Sequence, residues 1–240
     1  MEALGVIPAR LQSTRLPSKP LLLINGKTLI QWVYERAKQA ITLDRLVVAT
    51  DSPEIIKTVV EFGGEAALTS AEHVSGTDRV AEVARELPHE LIVDIQGDEP
   101  LIRPESIDML VELMAQNPEV HIATLITQCP EAEIDNPNIV KVVCGEDDFA
   151  VYFSRVPVPY FRNGNPRYYK HIGVYAFRKS TLMELNSQPK SKLEMIEGLE
   201  QLRALERNYR IKTVFTPYPT VAVDTPEDVH KVKRLLREVG

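Results

Sequence analysis

Short, nearly unbroken apolar runs recur along this chain, separated by stretches in which apolar residues return every third or fourth position. Runs at residues 3–7, 46–49, 91–95 and 122–127 are 4–8 residues long and read as strands buried on both faces, with a further short strand at 65–68. The intervening stretches read as helices. One spans 28–40, with Leu29, Ile30, Val33 and Ala37 on its packing side. A second starts at Pro53, where Asp51 or Ser52 can cap it, and stops at Gly63-Gly64. A third opens at Ser75-Gly76-Thr77 and carries Val80, Val83, Ala84 and Leu87; a fourth spans 104–116. Alternating strands and helices predict an α/β fold built on a doubly wound, mostly parallel sheet of Rossmann-like type.

After residue 127 the pattern changes. Residues 140–143 and 150–153, joined by Glu146-Asp147-Asp148, read as an antiparallel hairpin, an insertion on the parallel sheet. Pro157, Pro159 and Pro166 mark a long loop, 156–169, of a length that is usually functional or mobile. A strand at 169–177, a helix at 193–206 and strands at 211–216 and 220–223 follow. Asp224-Thr225-Pro226-Glu227-Asp228 then caps a last helix reaching about residue 239. With no repeat, linker or low-complexity tract, residues 1–240 read as one domain, a first half of 1–127 and an elaborated second half of 128–240.

The 240 residues are 44% hydrophobic and 26% charged, which is ordinary globular material. A net charge of -6 argues against nucleic acid or an anionic membrane as a partner. Two cysteines, Cys129 and Cys144, form no metal-binding cluster and no disulfide framework. The apolar runs are far shorter than the roughly 20 residues that cross a bilayer, so the expectation is a soluble, cytoplasmic protein without membrane insertion.

Against that acidic background, Arg10, Arg15 and Lys19 stand within ten residues of one another in a loop braced by Pro8 and Pro17, directly after the first strand. Open α/β sheets bind ligands at the carboxyl ends of their strands. Two guanidiniums and an ammonium placed there suit a polyanion such as a triphosphate; the alternative is three solvated loop cations. Asp98 and Asp224 each follow a strand, and together could hold a hard cation such as Mg²⁺ against phosphate oxygens. Taken singly, Asp98 could serve a turn and Asp224 could be a turn residue ahead of a helix cap.

Several motifs carry a resemblance that spans nearly the whole chain in order. PARxxSTRLPxKPL (8–21), NGK (25–27), VATD (48–51), SGTDR (75–79), QGDEP (96–100), NPNxVKVV (136–143), YFSR (152–155), HxGxY (171–175), LExxExLEQLR (193–203) and VDTPED (223–228) resemble the 3-deoxy-manno-octulosonate cytidylyltransferase (CMP-KDO synthetase) family. The first motif is shared more loosely with CMP-sialate synthetases; QGDEP, LEQLR and VDTPED make the resemblance specific. It implies a nucleotidyltransferase that converts CTP and KDO to CMP-KDO and pyrophosphate with Mg²⁺, an activation step in lipopolysaccharide biosynthesis. It also implies a homodimer with its contact surface in residues 140–206. By matching position it implies that Arg10, Arg15 and Lys19 bind the triphosphate, that Arg10, Lys19 and Asp98 serve catalysis, and that Asp98 and Asp224 hold the metal. Ser75, Gly76 and Arg79 would frame cytosine and ribose. Gln96, Arg162, His171, Tyr175, Glu200 and Gln201 match sugar-pocket positions, with His171 or an arginine neutralising the sugar carboxylate. Two departures stand out: SGTDR replaces SGTER, and the loop 157–168 is short, so Arg167 is an alternative to Arg162. The competing readings are a CMP-sialate or CMP-8-amino-sugar synthetase, a glycosyltransferase, and a nucleotide-binding regulatory module.

Overall fold

The computed structural model describes residues 2–11, 16–164 and 167–239. β1 (Ala3–Ala9) leads to a small hairpin, β2 (Leu23–Ile24) and β3 (Lys27–Thr28), and to α1 (Leu29–Ala37). Next come β4 (Arg45–Thr50), α2 (Pro53–Glu61), β5 (Ala66–Leu68), α3 (Gly76–Arg85), β6 (Leu91–Ile95), α4 (Pro104–Gln116) and β7 (Ile122–Gln128). Then follow β8 (Lys141–Cys144), β9 (Ala150–Ser154), β10 (Tyr169–Arg178), α5 (Lys179–Asn186), α6 (Lys192–Glu197), α7 (Gln201–Glu206), β11 (Ile211–Phe215) and α8 (Pro226–Val239).

Among the described residues, nine strands form one sheet with the path β11-β7-β10-β6-β1-β4-β5, and β8 and β9 branch from β10. β1 pairs in parallel with β4 and β6, and β11 with β7. β10 alone reverses the direction of the main path, lying antiparallel between β6 and β7. The sheet is therefore mostly parallel with an antiparallel insertion, as the alternation of apolar runs implies. Both faces are covered. Ile7 and Val93 pack with α1, α2 and α4 on one side, and Leu4, Val6 and Ile92 pack with α3, α5 and α7 on the other. That two-sided burial is why these strands read as continuous apolar runs.

Helix starts follow the sequence signals. Thr28 and Ser52 accept hydrogen bonds from the backbone N–H of Gln31 and Ile55. Ser75 and Asp78 form a reciprocal capping box, so the aspartate of SGTDR closes the motif despite its shorter side chain.

Three local expectations are corrected. The helix over 193–206 is two helices, because Gly198 adopts φ 64, a left-handed conformation that ends α6. Residues 220–223 form no strand; they cross the sheet's carboxyl edge, where the Val223 N–H donates to the Asp98 carbonyl at 2.9 Å. An additional helix, α5, follows β10 directly and buries Leu182 and Leu185. Its short apolar spacing gave no distinct periodic signal.

Two glycines set how closely the strand exits approach. A Cβ on Gly97 would lie 2.8 Å from the Pro8 carbonyl oxygen, and one on Gly173 would lie 3.0 Å from the Gln96 Cγ. Because the obstacle at Gly97 is backbone, Gly97→Ala is expected to lower stability by about 1–3 kcal/mol in urea unfolding. A parental midpoint would show that the ends of β1 and β6 separate without cost.

Candidate active site

The carboxyl ends of β1 and β6 open onto a cavity of about 500 Å³. At one end, Lys19 begins a single 3-10 turn and donates to Asp98 Oδ2 at 2.7 Å and to Asp224 Oδ1 at 3.0 Å. Burial opposes the charge on Lys19, but attraction and hydrogen bonding from both aspartates outweigh it and raise the lysine's pKa. Asp98 and Asp224 thus converge on one point, and the bond between Val223 and Asp98 holds their segments together. Two carboxylates with no nitrogen or sulfur donor suit a hard cation that takes its other ligands from phosphate and water. Among the described residues there is no cluster of three acidic, histidine or cysteine groups that could enclose a metal alone. Arg10 lines the same cavity. Arg15 lies outside the described residues.

At the other end the cavity is walled by Gln96, His171, Tyr175, Glu200 and Gln201. His171 packs against Phe153 and Tyr175, with ring centroids 5.5 and 5.1 Å away. Its Nε2 lies 2.9 Å from Thr124 Oγ1, while that hydroxyl donates its only proton to the Val174 carbonyl. The histidine must therefore carry its proton on Nε2 and present Nδ1 as an acceptor. Removal from bulk water lowers its pKa to about 3. That burial disfavours a charge on His171 and speaks against the expectation that it neutralises a carboxylate. Tyr175 is held protonated, its pKa raised well above the ordinary value by burial and by the negative charges of Glu200 and Asp94.

Gly198 ends α6, and Glu200 and Gln201, the N-cap and first residue of α7, both line the cavity. Arg155 fastens that turn, donating to the carbonyls of Glu197 and Gly198 and also to that of Pro137. Glu200 is open to the cavity yet ringed by protein, which raises its pKa, and it accepts a 2.7 Å hydrogen bond from Thr77.

The cytidylyltransferase family profile matches residues 4–211. The 3-deoxy-manno-octulosonate cytidylyltransferase of Fusobacterium nucleatum is 47% identical over 241 residues, covering 99% of this chain and 98% of that protein. That of Koribacter versatilis is 48% identical over 239 residues, covering 99% of this chain and 91% of its own. The chain belongs to the 3-deoxy-manno-octulosonate cytidylyltransferase family. The solved structure of a CMP:2-keto-3-deoxy-manno-octonic acid synthetase complexed with CTP matches with a TM-score of 0.95 at 42% identity, covering 100% of both chains. A 4-diphosphocytidyl-2C-methyl-D-erythritol synthase from Anaerococcus prevotii, 13% identical with a TM-score of 0.64, shares the fold.

Not every position that matches a family motif faces the cavity. Gly76 lines it, and Ser75 lies just behind, capping α3. Arg79 is 2% exposed and turns away, donating to Asp51, Thr69 and the Ser70 carbonyl, so it braces the loops after β4 and β5. Arg162 and Arg167 are exposed on their loop and are not among the cavity's lining residues. Four supporting residues escaped sequence reasoning: Thr77, Asp94, Thr124 and Arg155. Asp94 left a signal as a lone charge inside an apolar strand, and Thr77 and Arg155 lie within the motifs SGTDR and YFSR without an assigned role.

Asp94 is fully buried. Burial first, then the charge of Glu200, raises its pKa from 3.8 to about 8. Between those two values the folded chain binds a proton that the unfolded chain has released, so this group lowers stability as pH rises from about 4 to about 8. Asp94→Asn is expected to gain stability over the parent across that window, by up to about 1.4 kcal/mol per pH unit. Urea unfolding at pH 5 and pH 8 checks this; the same difference at both would mean that Asp94 is ionised in the fold.

Proposed function

We propose that this protein transfers CMP from CTP to the anomeric hydroxyl of 3-deoxy-D-manno-octulosonate, giving CMP-KDO and pyrophosphate. The observation that carries the reading is the division of one cavity into an end lined by Arg10, Asp98 and Asp224, with Lys19 ion-paired to both aspartates, and an end lined by Gln96, His171, Tyr175 and Glu200. A triphosphate suits the first and a polyhydroxy acid the second. The solved relative's complex with CTP and the names of the full-length relatives support the same pair of substrates.

The anomeric oxygen attacks the α-phosphorus directly, its bond to phosphorus forming as the bond to pyrophosphate breaks, and the hydroxyl proton leaves to solvent. This chain's residues act by positioning and charge stabilisation, as is usual in phosphoryl-type transfer. Arg10, Arg15 and Lys19 draw in the triphosphate. Asp98 and Asp224 would hold Mg²⁺, which when bound neutralises phosphate oxygens and the departing pyrophosphate. With Asp98 and Asp224 engaged by a metal, Lys19 would be free to bind phosphate oxygens. Tyr175 and Glu200 line the sugar side, where neutral His171 accepts a hydrogen bond from a sugar hydroxyl. Neutralising the sugar carboxylate falls to a cation; Arg10 lines the cavity, whereas Arg162 or Arg167 reaches it only by inward movement of the loop.

The same reading makes the protein a cytoplasmic homodimer acting in lipopolysaccharide biosynthesis. Val151, Val156, Met195 and Ile196, exposed on β9, the following loop and α6, support a contact surface in the second half. Among the described residues, no helix is long and apolar enough to cross a membrane.

The deciding experiment is pyrophosphate release from CTP in the presence of KDO, sialic acid or 8-amino-KDO. Turnover with KDO alone or best is expected; turnover confined to sialic acid would move the protein to the neighbouring synthetase class. Asp98→Asn and Asp224→Asn are each expected to reduce kcat by about a hundredfold or more at saturating Mg²⁺, with unfolding midpoints retained. Activity within a few fold of the parent would remove both residues from the reaction.

A further inference from the structure

Asp94 sits in the middle of the sheet, opposite Val6 of β1 and Tyr175 of β10, and is 0% exposed. A carboxylate there costs several kcal/mol unless it is paired, and its two hydrogen-bonding neighbours are not cations. Gln96 Nε2 donates to Oδ1 at 2.9 Å, and Thr77 Oγ1 lies 3.5 Å from Oδ2. Thr77 has one proton, already directed to Glu200 Oε2 at 2.7 Å. Oδ2 therefore faces an oxygen with no proton left to give. The oxygens are satisfied in sequence if Asp94 itself holds a proton and donates it to Thr77, which donates to the Glu200 carboxylate. The upward shift of the Asp94 pKa agrees with this order.

This chain of bonds fixes what the cavity wall offers. Gln96 turns its Nε2 towards Asp94, leaving Oε1. Glu200 accepts from Thr77 through Oε2 and also from the Ser75 side chain, and as a carboxylate keeps further lone pairs for the cavity. His171 has Nε2 engaged by Thr124, leaving Nδ1. Three side chains from separate segments thus keep acceptor atoms for a ligand. We propose that Asp94 is a positioning residue that, through Gln96 and through Thr77 and Glu200, makes this wall a set of hydrogen-bond acceptors and so selects a ligand carrying several hydroxyl donors. This rests on the reading of the cavity as the sugar-acid site. A buried, uncharged acid does what an amide could do: it accepts from Gln96 with one oxygen and donates to Thr77 with the other.

The test uses steady-state kinetics of pyrophosphate release with CTP and KDO. Asp94→Asn preserves one acceptor and one donor and is expected to keep the KM for KDO within about twofold. Asp94→Leu, of similar size but without polar atoms, is expected to raise it about tenfold, leaving the KM for CTP within twofold and kcat less affected than KM. Thr77→Val breaks the same chain without altering the sheet and is expected to show the same split, which keeps the test decisive should Asp94→Leu fail to fold. Parental KM values for KDO in both Asp94→Leu and Thr77→Val would overturn the proposal. So would an Asp94→Asn variant as impaired as Asp94→Leu, since charge would then be the active property, or a parallel rise in KM for both substrates, which marks general damage. If the parent itself releases no pyrophosphate with KDO, the functional reading falls and this proposal falls with it.

Discussion

Three chain segments meet in the ion triad of Lys19, Asp98 and Asp224, whose members are 79 and 205 positions apart in sequence. Two carboxylates would not approach one another unaided. The ammonium between them offsets their repulsion, and the backbone bond from Val223 to Asp98 fixes the spacing. The groups are only partly buried, at 17%, 26% and 29% side-chain exposure, so water and salt screen the triad without dissolving it. That intermediate strength suits a cluster that must exchange partners when a highly charged ligand arrives. The turn at Lys19, the exit of β6 and the lead into α8 are thereby brought together.

Charge is concentrated at that end of the cavity, whereas at the other Glu200 stands beside groups that burial keeps neutral. His171 is neutral, Tyr175 keeps its proton and Asp94 is protonated at neutral pH. Each state follows from removal of the group from water, with negative neighbours adding to the shifts of Tyr175 and Asp94. A phosphate-binding region needs charge, whereas a polyol is read by the direction of each hydrogen bond. Burial on one sheet edge supplies both conditions within a single cavity.

Much of this was legible in the sequence where one local signal decided the outcome. Pro53, Ser75 and Thr28 mark helix starts because capping is local chemistry. Strands β1, β4, β6 and β7 are legible because burial on both faces leaves unbroken apolar runs. The break at Gly198 was missed because the leucines on both sides keep helical spacing through it. Residues 220–223 have strand composition but lie across the strand ends, and composition does not say what lies alongside. In the site, the triad residues were visible as charges at strand exits. Thr77 and Thr124 were not, because their importance lies in the direction of one proton, and that depends on atoms far away in sequence.

The reversed strand β10 bears on how the molecule is made. β7 pairs with β10 and β11, and β6 with β1 and β10, so the sheet cannot be joined across its middle before residues 169–178 have been synthesised. Until then β6 has one open edge and β7 two, each with unpaired hydrogen-bonding groups, the kind of surface that invites pairing with other chains. Closure across such long sequence separations is slow compared with local folding. Synthesis therefore passes through an interval of aggregation risk that begins once residue 128 has been added, narrows when the last-arriving central strand slides between its neighbours, and ends when β11 covers the outer edge of β7.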